Sequence, residues 1–184
     1  MEHTAAYLAT EAGATALVVR QAAAGDRAAF AQLVQRYSPD MIRAAYVVSS
    51  DIEATRDATQ RAWQRIWGSL GQLRDQDRFR AWAIAIAVNE VRAMARQDRR
   101  RQVREISVSP DALQQPDIGE LVARRVDLGK ALRALEPDDR ALLALRYVAG
   151  MTAAEIAASR GGSASGIRAR LSRLNRTLRE ELER

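Results

Sequence analysis

The 184-residue sequence has no cysteine, a single histidine (His3) and a single lysine (Lys130). Without cysteine it can form neither a disulfide framework nor a thiolate metal site, which agrees with a reducing compartment. One histidine near the N-terminus provides no cluster for a metal ion. No glycine-rich phosphate loop occurs, and the carboxylates are scattered among arginines in the usual solvated pattern. No enzyme, metal or cofactor is therefore expected. Glycine (10), proline (4) and aromatic residues (5%) are few. That scarcity, with abundant alanine, favours helix almost everywhere. No apolar run approaches the roughly 20 residues of a membrane span. The first residues carry Glu2 and Glu11 and no basic leader, so no secretory signal is expected and the predicted location is the cytoplasm.

Hydrophobic residues make up 47% of the chain and charged residues 28%, a globular balance. The net charge is +6 and rests almost wholly on arginine. Arginine's planar fork suits phosphates and guanine edges better than a lysine ammonium does. GC-rich coding accounts for much of the arginine and alanine, but not for where the arginines cluster.

Four segments are expected: an N-terminal extension over 1–19, a helical domain over 20–102, a linker over 103–122, and a second helical domain over 123–184. Residues 1–19 show no clear period and read as a frayed or loosely packed extension. Phe30, Leu33, Val34 and Tyr37 recur at helical spacing. Pro39 predicts a boundary, with a new helix starting near Met41. A further helix runs from about Asp51 to Leu70, with Trp63, Ile66, Trp67 and Leu70 on one side. Residues 71–78 are loop-like. Phe79 to Arg101 is predicted as a buried helix, although Ala83 to Val88 alternates like a strand. The core is the expected place for Trp63, Trp67, Phe79 and Trp82. Residues 103–120 contain two prolines and many polar groups, which marks the linker.

The C-terminal part carries local punctuation. Pro137 sits at a first helical position with Asp138 and Asp139 behind it, which suits both the missing amide and the helix dipole. Thr152 and Glu155 have capping-box spacing. Gly161 and Gly162 close that short helix, and Ser163 or Ser165 can cap a final one. On the final helix Ile167, Leu171, Leu174, Leu178 and Leu182 share a face. Ser165, Ala169, Ser172, Arg173 and Arg176 lie opposite, flanked by Arg168 and Arg170. Two helices around a glycine turn, the second with a basic outer face, make a helix-turn-helix suited to the DNA major groove.

The string from Leu135 to Leu182 resembles the −35-binding domain of extracytoplasmic-function (ECF) bacterial sigma factors. The landmarks are Leu135, Pro137, Arg140, Leu145-Arg146-Tyr147, Gly150, Glu155-Ile156-Ala157, Gly161, Arg170-Leu171 and Arg173. Residues 25–37, Asp57-Ala58-Thr59-Gln60, Phe79-Arg80-Ala81-Trp82 and Asn89 resemble the other domain of that family. Two such domains in order make a sigma factor the leading expectation, with a stand-alone helix-turn-helix regulator as the alternative.

The resemblance implies an all-α fold of two small helical domains. It implies docking on core RNA polymerase, through its β′ and β subunits, by Asp57, Gln60, Arg56 and Arg61. For the −35 element it implies Ser165, Arg168, Arg170, Ser172, Arg173 and Arg176. For the −10 element it implies the loop from Leu70 to Arg78, receiving a flipped base, with Asn89 nearby; Arg92, Arg96, Arg99 and Arg100 share a broad helical face that can track the phosphates there. Both double- and single-stranded promoter DNA are thus expected partners. The linker resembles the segment threaded toward the polymerase active-site and RNA-exit channel.

There are departures from the family pattern. Ser165-Gly166 stands where Gly-Thr is usual, and Gly162 replaces an apolar turn residue. A glycine in the first helical turn costs up to ~1 kcal/mol. Around the Asp57 motif, Ala54, Thr55, Arg56 and Arg61 replace usual acids, and like charge against a basic partner costs ~1 kcal/mol per close pair. This resembles the subset activated when a Ser/Thr kinase phosphorylates a threonine in this helix, with Thr55 the first candidate and Thr59 the second. A kinase and an anti-sigma factor are accordingly candidate partners.

Overall fold

The computed structural model describes residues 14–102 and 128–183, without the side chains of 98–102. Every regular element among them is helical. In chain order these are α1 (14–23), α2 (Arg27–Ser49), α3 (Ile52–Ser69), single 3-10 turns at Leu70–Gln72 and Gln76–Arg78, and α4 (Phe79–Gln102). Then follow α5 (128–134), α6 (Pro137–Leu143) running into a π-helical turn at Ala144–Val148, α7 (Ala153–Arg160) and α8 (Ala164–Leu182). The expected linker lies outside the described residues.

Side-chain caps explain the starts of α2, α3, α7 and α8. Asp26 accepts from the amides of Ala28 and Ala29, and Asp51 from that of Ala54. Each satisfies amides that the helix itself leaves orphaned. Glycine acts where the backbone turns left-handed: Gly161 and Gly162 have φ of 81° and 102° between α7 and α8.

The structure corrects two expectations. Residues 14–19 are not loose: they open α1, Val19 is buried, and the Thr15 and Tyr37 hydroxyls lie 3.2 Å apart. Pro39 does not end a helix; α2 runs through it. Interior proline costs ~3 kcal/mol. Burial of Leu33, Tyr37, Met41, Ala44, Ala45 and Val48 on both sides of the proline opposes that cost. The Ser38 hydroxyl, just before the proline, donates to the Val34 carbonyl at 2.6 Å.

Helices α2, α3 and α4 pack mutually around rings. Phe79 is fully buried, with Tyr37, Trp82 and Trp63 ring centroids 5.1, 6.1 and 6.5 Å away. Phe30 meets Trp63 and Trp67 edge-on at 5.6 and 4.7 Å. The alternating stretch of α4 is a buried helix, with Ala83, Ile84, Ala87 and Val88 inside. Trp67 departs from its expected core role: it is 41% exposed. α6 and its π-helical turn pack on α2 and α4, so Leu142 and Leu145 join the same apolar cluster as Met41 and Val88.

Candidate polymerase and promoter-DNA surfaces

The helix-turn-helix is built as its caps predict. Thr152 accepts from the Glu155 amide at 3.2 Å, and Glu155 accepts from the Thr152 amide at 2.7 Å. The Thr152 amide first and the Thr152 hydroxyl second, opposed by slight desolvation and aided by Arg78, hold the Glu155 carboxyl below its ordinary range. Ser163, rather than Ser165, caps α8 through the Gly166 amide. Leu171 and Leu174 are buried beside Ile156 and the α6 leucines, with Ile167 and Leu178 partly so. Ser165, Ser172, Arg173 and Arg176 are exposed on the opposite face, as the helical period requires, and Arg168 is exposed on its flank.

Arg170 is placed differently. Its Nε donates to Asp139 at 2.6 Å, turning the guanidinium toward α6. Arg92 behaves alike: Nε and Nη2 lie 2.8 and 2.7 Å from Asp138 Oδ1, and its side chain is only 13% exposed. Arg160 also approaches Asp138, at 3.6 Å. Partial burial raises the Asp138 carboxyl, but the Arg92 hydrogen bond and the charges of Arg92, Arg160 and Arg96 outweigh it, so the net shift is downward. Desolvation, with Arg92 close by, brings the Arg160 guanidinium down to about 10. A further pair, Arg78–Glu155 at 2.7 Å, joins the turn before α4 to α7. Two arginines assigned to DNA are thus held by carboxylates of α6.

Asp138 and Asp139 were expected only as first-turn acids. Their partners lie 46 and 31 residues away in sequence, and local spacing gives no sign of them. Arg96 is exposed on α4, whereas the side chains of Arg99 and Arg100 lie outside the described residues.

On α3, Arg56, Asp57, Gln60 and Arg61 are all exposed, with Arg56 paired to Glu53 at 2.7 Å. Beside them runs an open groove of about 610 Å3 between α2 and α3, lined by Phe30, Val34, Ile42, Trp63 and Trp67 with Arg56 and Gln60 at its rim. Of the two candidate threonines, Thr59 lines this groove and Thr55 does not. Thr55 is fully buried; its hydroxyl donates to the Asp51 carbonyl at 2.6 Å and lies 2.9 Å from the Ser49 hydroxyl. Thr59 is buried as well and bonds the Thr55 carbonyl.

A second cavity, about 420 Å3, lies between the end of α3 and the middle of α4. Arg65, Ser69, Gln72, Trp82, Ile86 and Asn89 line it. Asn89 and the loop that carries Gln72 are the parts expected there from the sequence; Trp82 is expected in the core and is half-buried at the wall.

Residues 33–101 match the family model of sigma-70 region 2, and residues 125–177 match that of sigma-70 region 4. The chain belongs to the sigma-70 family of sigma factors. Its relatives put this sigma factor in the extracytoplasmic-function class. It is 30% identical over 168 residues to the probable RNA polymerase sigma factor RfaY of Xanthomonas campestris, covering 88% of this chain but 42% of that protein. It is 28% identical over 153 residues to the ECF RNA polymerase sigma factor RpoE of Cereibacter sphaeroides, covering 79% and 82% of the two chains. Among solved structures, CnrH in complex with the cytosolic domain of CnrY matches with TM-score 0.64 and 26% identity, over 92% of this chain and 97% of that one. The fold is also that of RpoE from Bartonella quintana, solved with the anti-sigma factor NepR: TM-score 0.70, 24% identity, 84% and 96% covered. No helix among the described residues is long and apolar enough to cross a membrane.

Proposed function

We propose that this sigma factor docks on core RNA polymerase through α2 and α3, reads the −35 element with α8, and melts the −10 element along α4. It acts by binding, with no catalysis of its own. The observation that carries the reading is the open apolar groove between α2 and α3, rimmed by exposed polar residues. An apolar concavity with a polar rim is the usual mark of a protein partner. A stand-alone helix-turn-helix regulator needs the face of α8 but has no use for this groove.

On the DNA side, Ser165, Arg168, Ser172, Arg173 and Arg176 form the groove-reading face of α8. Asn89, Arg92, Arg96, Arg99 and Arg100 follow α4, and the cavity at Asn89 and Trp82 suits an unstacked base. Arg92 and Arg170 join this set when Asp138 and Asp139 release them. An anti-sigma protein is proposed as a further partner, by likeness to the RpoE solved with NepR.

The threonine switch needs an opening step. A kinase reaches the Thr55 hydroxyl only if the first turns of α3 part from α2, and a phosphate there would displace the Ser49 and Asp51 contacts. Transcription with Thr55→Glu and Thr55→Ala variants tests it. If the unmodified wild type binds core polymerase as tightly as the Glu variant, there is no switch at Thr55.

The main test is co-purification with core polymerase and transcription by the reconstituted holoenzyme. Wild type should form a stable holoenzyme, and Trp67→Asp, which puts charge into the groove at a ring 41% exposed, should not, with denaturant unfolding checking that loss of the Phe30 contact leaves the fold intact. Promoter binding by the free chain with no polymerase association would favour the stand-alone regulator.

A further inference from the structure

The cavity between α3 and α4 contains one charged group that no family landmark assigns to DNA: Arg65. Its Nη1 donates to Glu90 Oε1 at 2.6 Å, and the Glu90 side chain is only 16% exposed. The better-buried carboxylate on α4 therefore fixes the guanidinium at the cavity wall. One of the five N–H groups of arginine is spent on Glu90, and the others remain for a ligand.

Asn89 points to the same chemistry. The Asn89 carbonyl oxygen accepts from Arg92 Nη1 at 3.3 Å, which leaves the Asn89 amide hydrogens to donate. The Ser69 hydroxyl hydrogen is committed to the Arg65 carbonyl at 2.7 Å. Gln72 offers either end of its amide. Trp82 and Ile86 provide a flat apolar wall. Arg65 and Asn89 thus present donors, Ser69 only lone pairs, and Trp82 a ring on which a flat ligand can stack.

A donor-rich wall selects a base with adjacent acceptors. Guanine has two, O6 and N7, which arginine can engage together. An unpaired cytosine has two, O2 and N3. Adenine and thymine have none side by side, because a donor or a carbon separates each acceptor from the next. We propose that Arg65, oriented by Glu90, is a specificity-determining residue of this cavity and makes it take guanine or cytosine in preference to adenine or thymine. The proposal rests on the reading that the cavity receives an unpaired promoter base.

The test is selection by the reconstituted holoenzyme from promoter forks whose non-template single strand is randomised. Wild type should enrich G or C at one single-stranded position; which of the two is enriched identifies the edge that is read. A good bidentate contact gives discrimination of roughly 5- to 150-fold. Arg65→Leu should abolish the preference at that position alone, with holoenzyme yield and the other positions unchanged. Glu90→Gln should weaken it partially, since the guanidinium remains but loses its anchor. Enrichment of A or T at that position, or a preference that survives Arg65→Leu, would overturn the assignment. Asn89→Ala separates the two levels of the argument. If it alters selection while Arg65→Leu does not, the cavity takes a base and Arg65 does not choose it. If neither variant alters selection, the cavity takes no base.

Discussion

The helices before residue 103 and those after 127 solve the same packing problem with different materials. α2, α3 and α4 are long and lock on rings, with Phe79 at the centre of Tyr37, Trp63 and Trp82. From α5 to α8 the one aromatic residue is Tyr147, and it is exposed; the interior there is Leu142, Leu145, Ile156, Leu171 and Leu174. All but α8 of these helices are short and depend more on their ends; α7 is capped by Thr152, α8 by Ser163, and Gly161 and Gly162 turn the chain between them. Rings bury large area with specific geometry. They hold the α2–α3 groove and the α3–α4 cavity as fixed surfaces. The C-terminal helices instead display one face of α8. Arginine differs in parallel: Arg168, Arg173 and Arg176 stand exposed, whereas Arg92, Arg160 and Arg170 are held at the seam by Asp138 and Asp139.

The strongest challenge to this contrast is Phe79→Ala. Removing a fully buried ring costs about 3–5 kcal/mol. Denaturant unfolding should show that loss, together with loss of polymerase binding, because α3 and α4 share the ring. Arg173→Ala tests the other side. It should leave unfolding unchanged and weaken −35 binding by about 1–3 kcal/mol if the side chain reads a base edge. Arg170→Ala should do less, since Asp139 already engages that guanidinium. Equal losses from the two variants in DNA titrations would mean that the seam does not sequester Arg170.

Thr152→Ala comes next. Removing a capping-box threonine costs about 1 kcal/mol. The loss should appear as faster amide exchange in α7 and leave α2 to α4 protected. A matching loss of protection in α3 would show that the C-terminal helices do not rely on their ends in the way proposed.

What could be read from the sequence divides along the same line. Caps, the glycine turn and the apolar stripe of α8 are local, so spacing alone located them. The Ala83 to Val88 helix was legible because its alanines and long helical context outweighed the alternation. Pro39 misled because burial on both flanks of α2, a tertiary effect, overrides the local breaker. Residues 14–19 misled because Val19 and Thr15 find their partners on a later helix. At the candidate site, residue types on α8 and α3 were legible and side-chain partners were not. Thr55 was chosen for its position among arginines, and its hydroxyl is closed off by Ser49, six residues back across the α2–α3 corner. Arg92 and Arg170 were assigned by helical face, yet distant aspartates turn them.

The smallest expected effect concerns those aspartates. Asp138 is 48% exposed, so solvent screens its pairing, and the neutral Asp138→Asn variant should change stability by no more than about 1 kcal/mol. Its pH dependence has a definite sign. The folded carboxyl titrates below its ordinary value of 3.8. Its contribution is therefore present above that value and is lost as pH falls through the lower folded-state range. Above about pH 5 the wild-type seam should hold steadily, and acidification should loosen it. Asp138→Asn should abolish that acid-dependent component and, at neutral pH, free Arg92 for phosphate. DNA binding would then gain up to one contact's worth of salt dependence, a slope steeper by about 0.9 for duplex or 0.7 for single strands. An unchanged slope would mean that Arg92 stays at the seam without Asp138, and the exposed face of α8 would carry the salt dependence that the seam was expected to withhold.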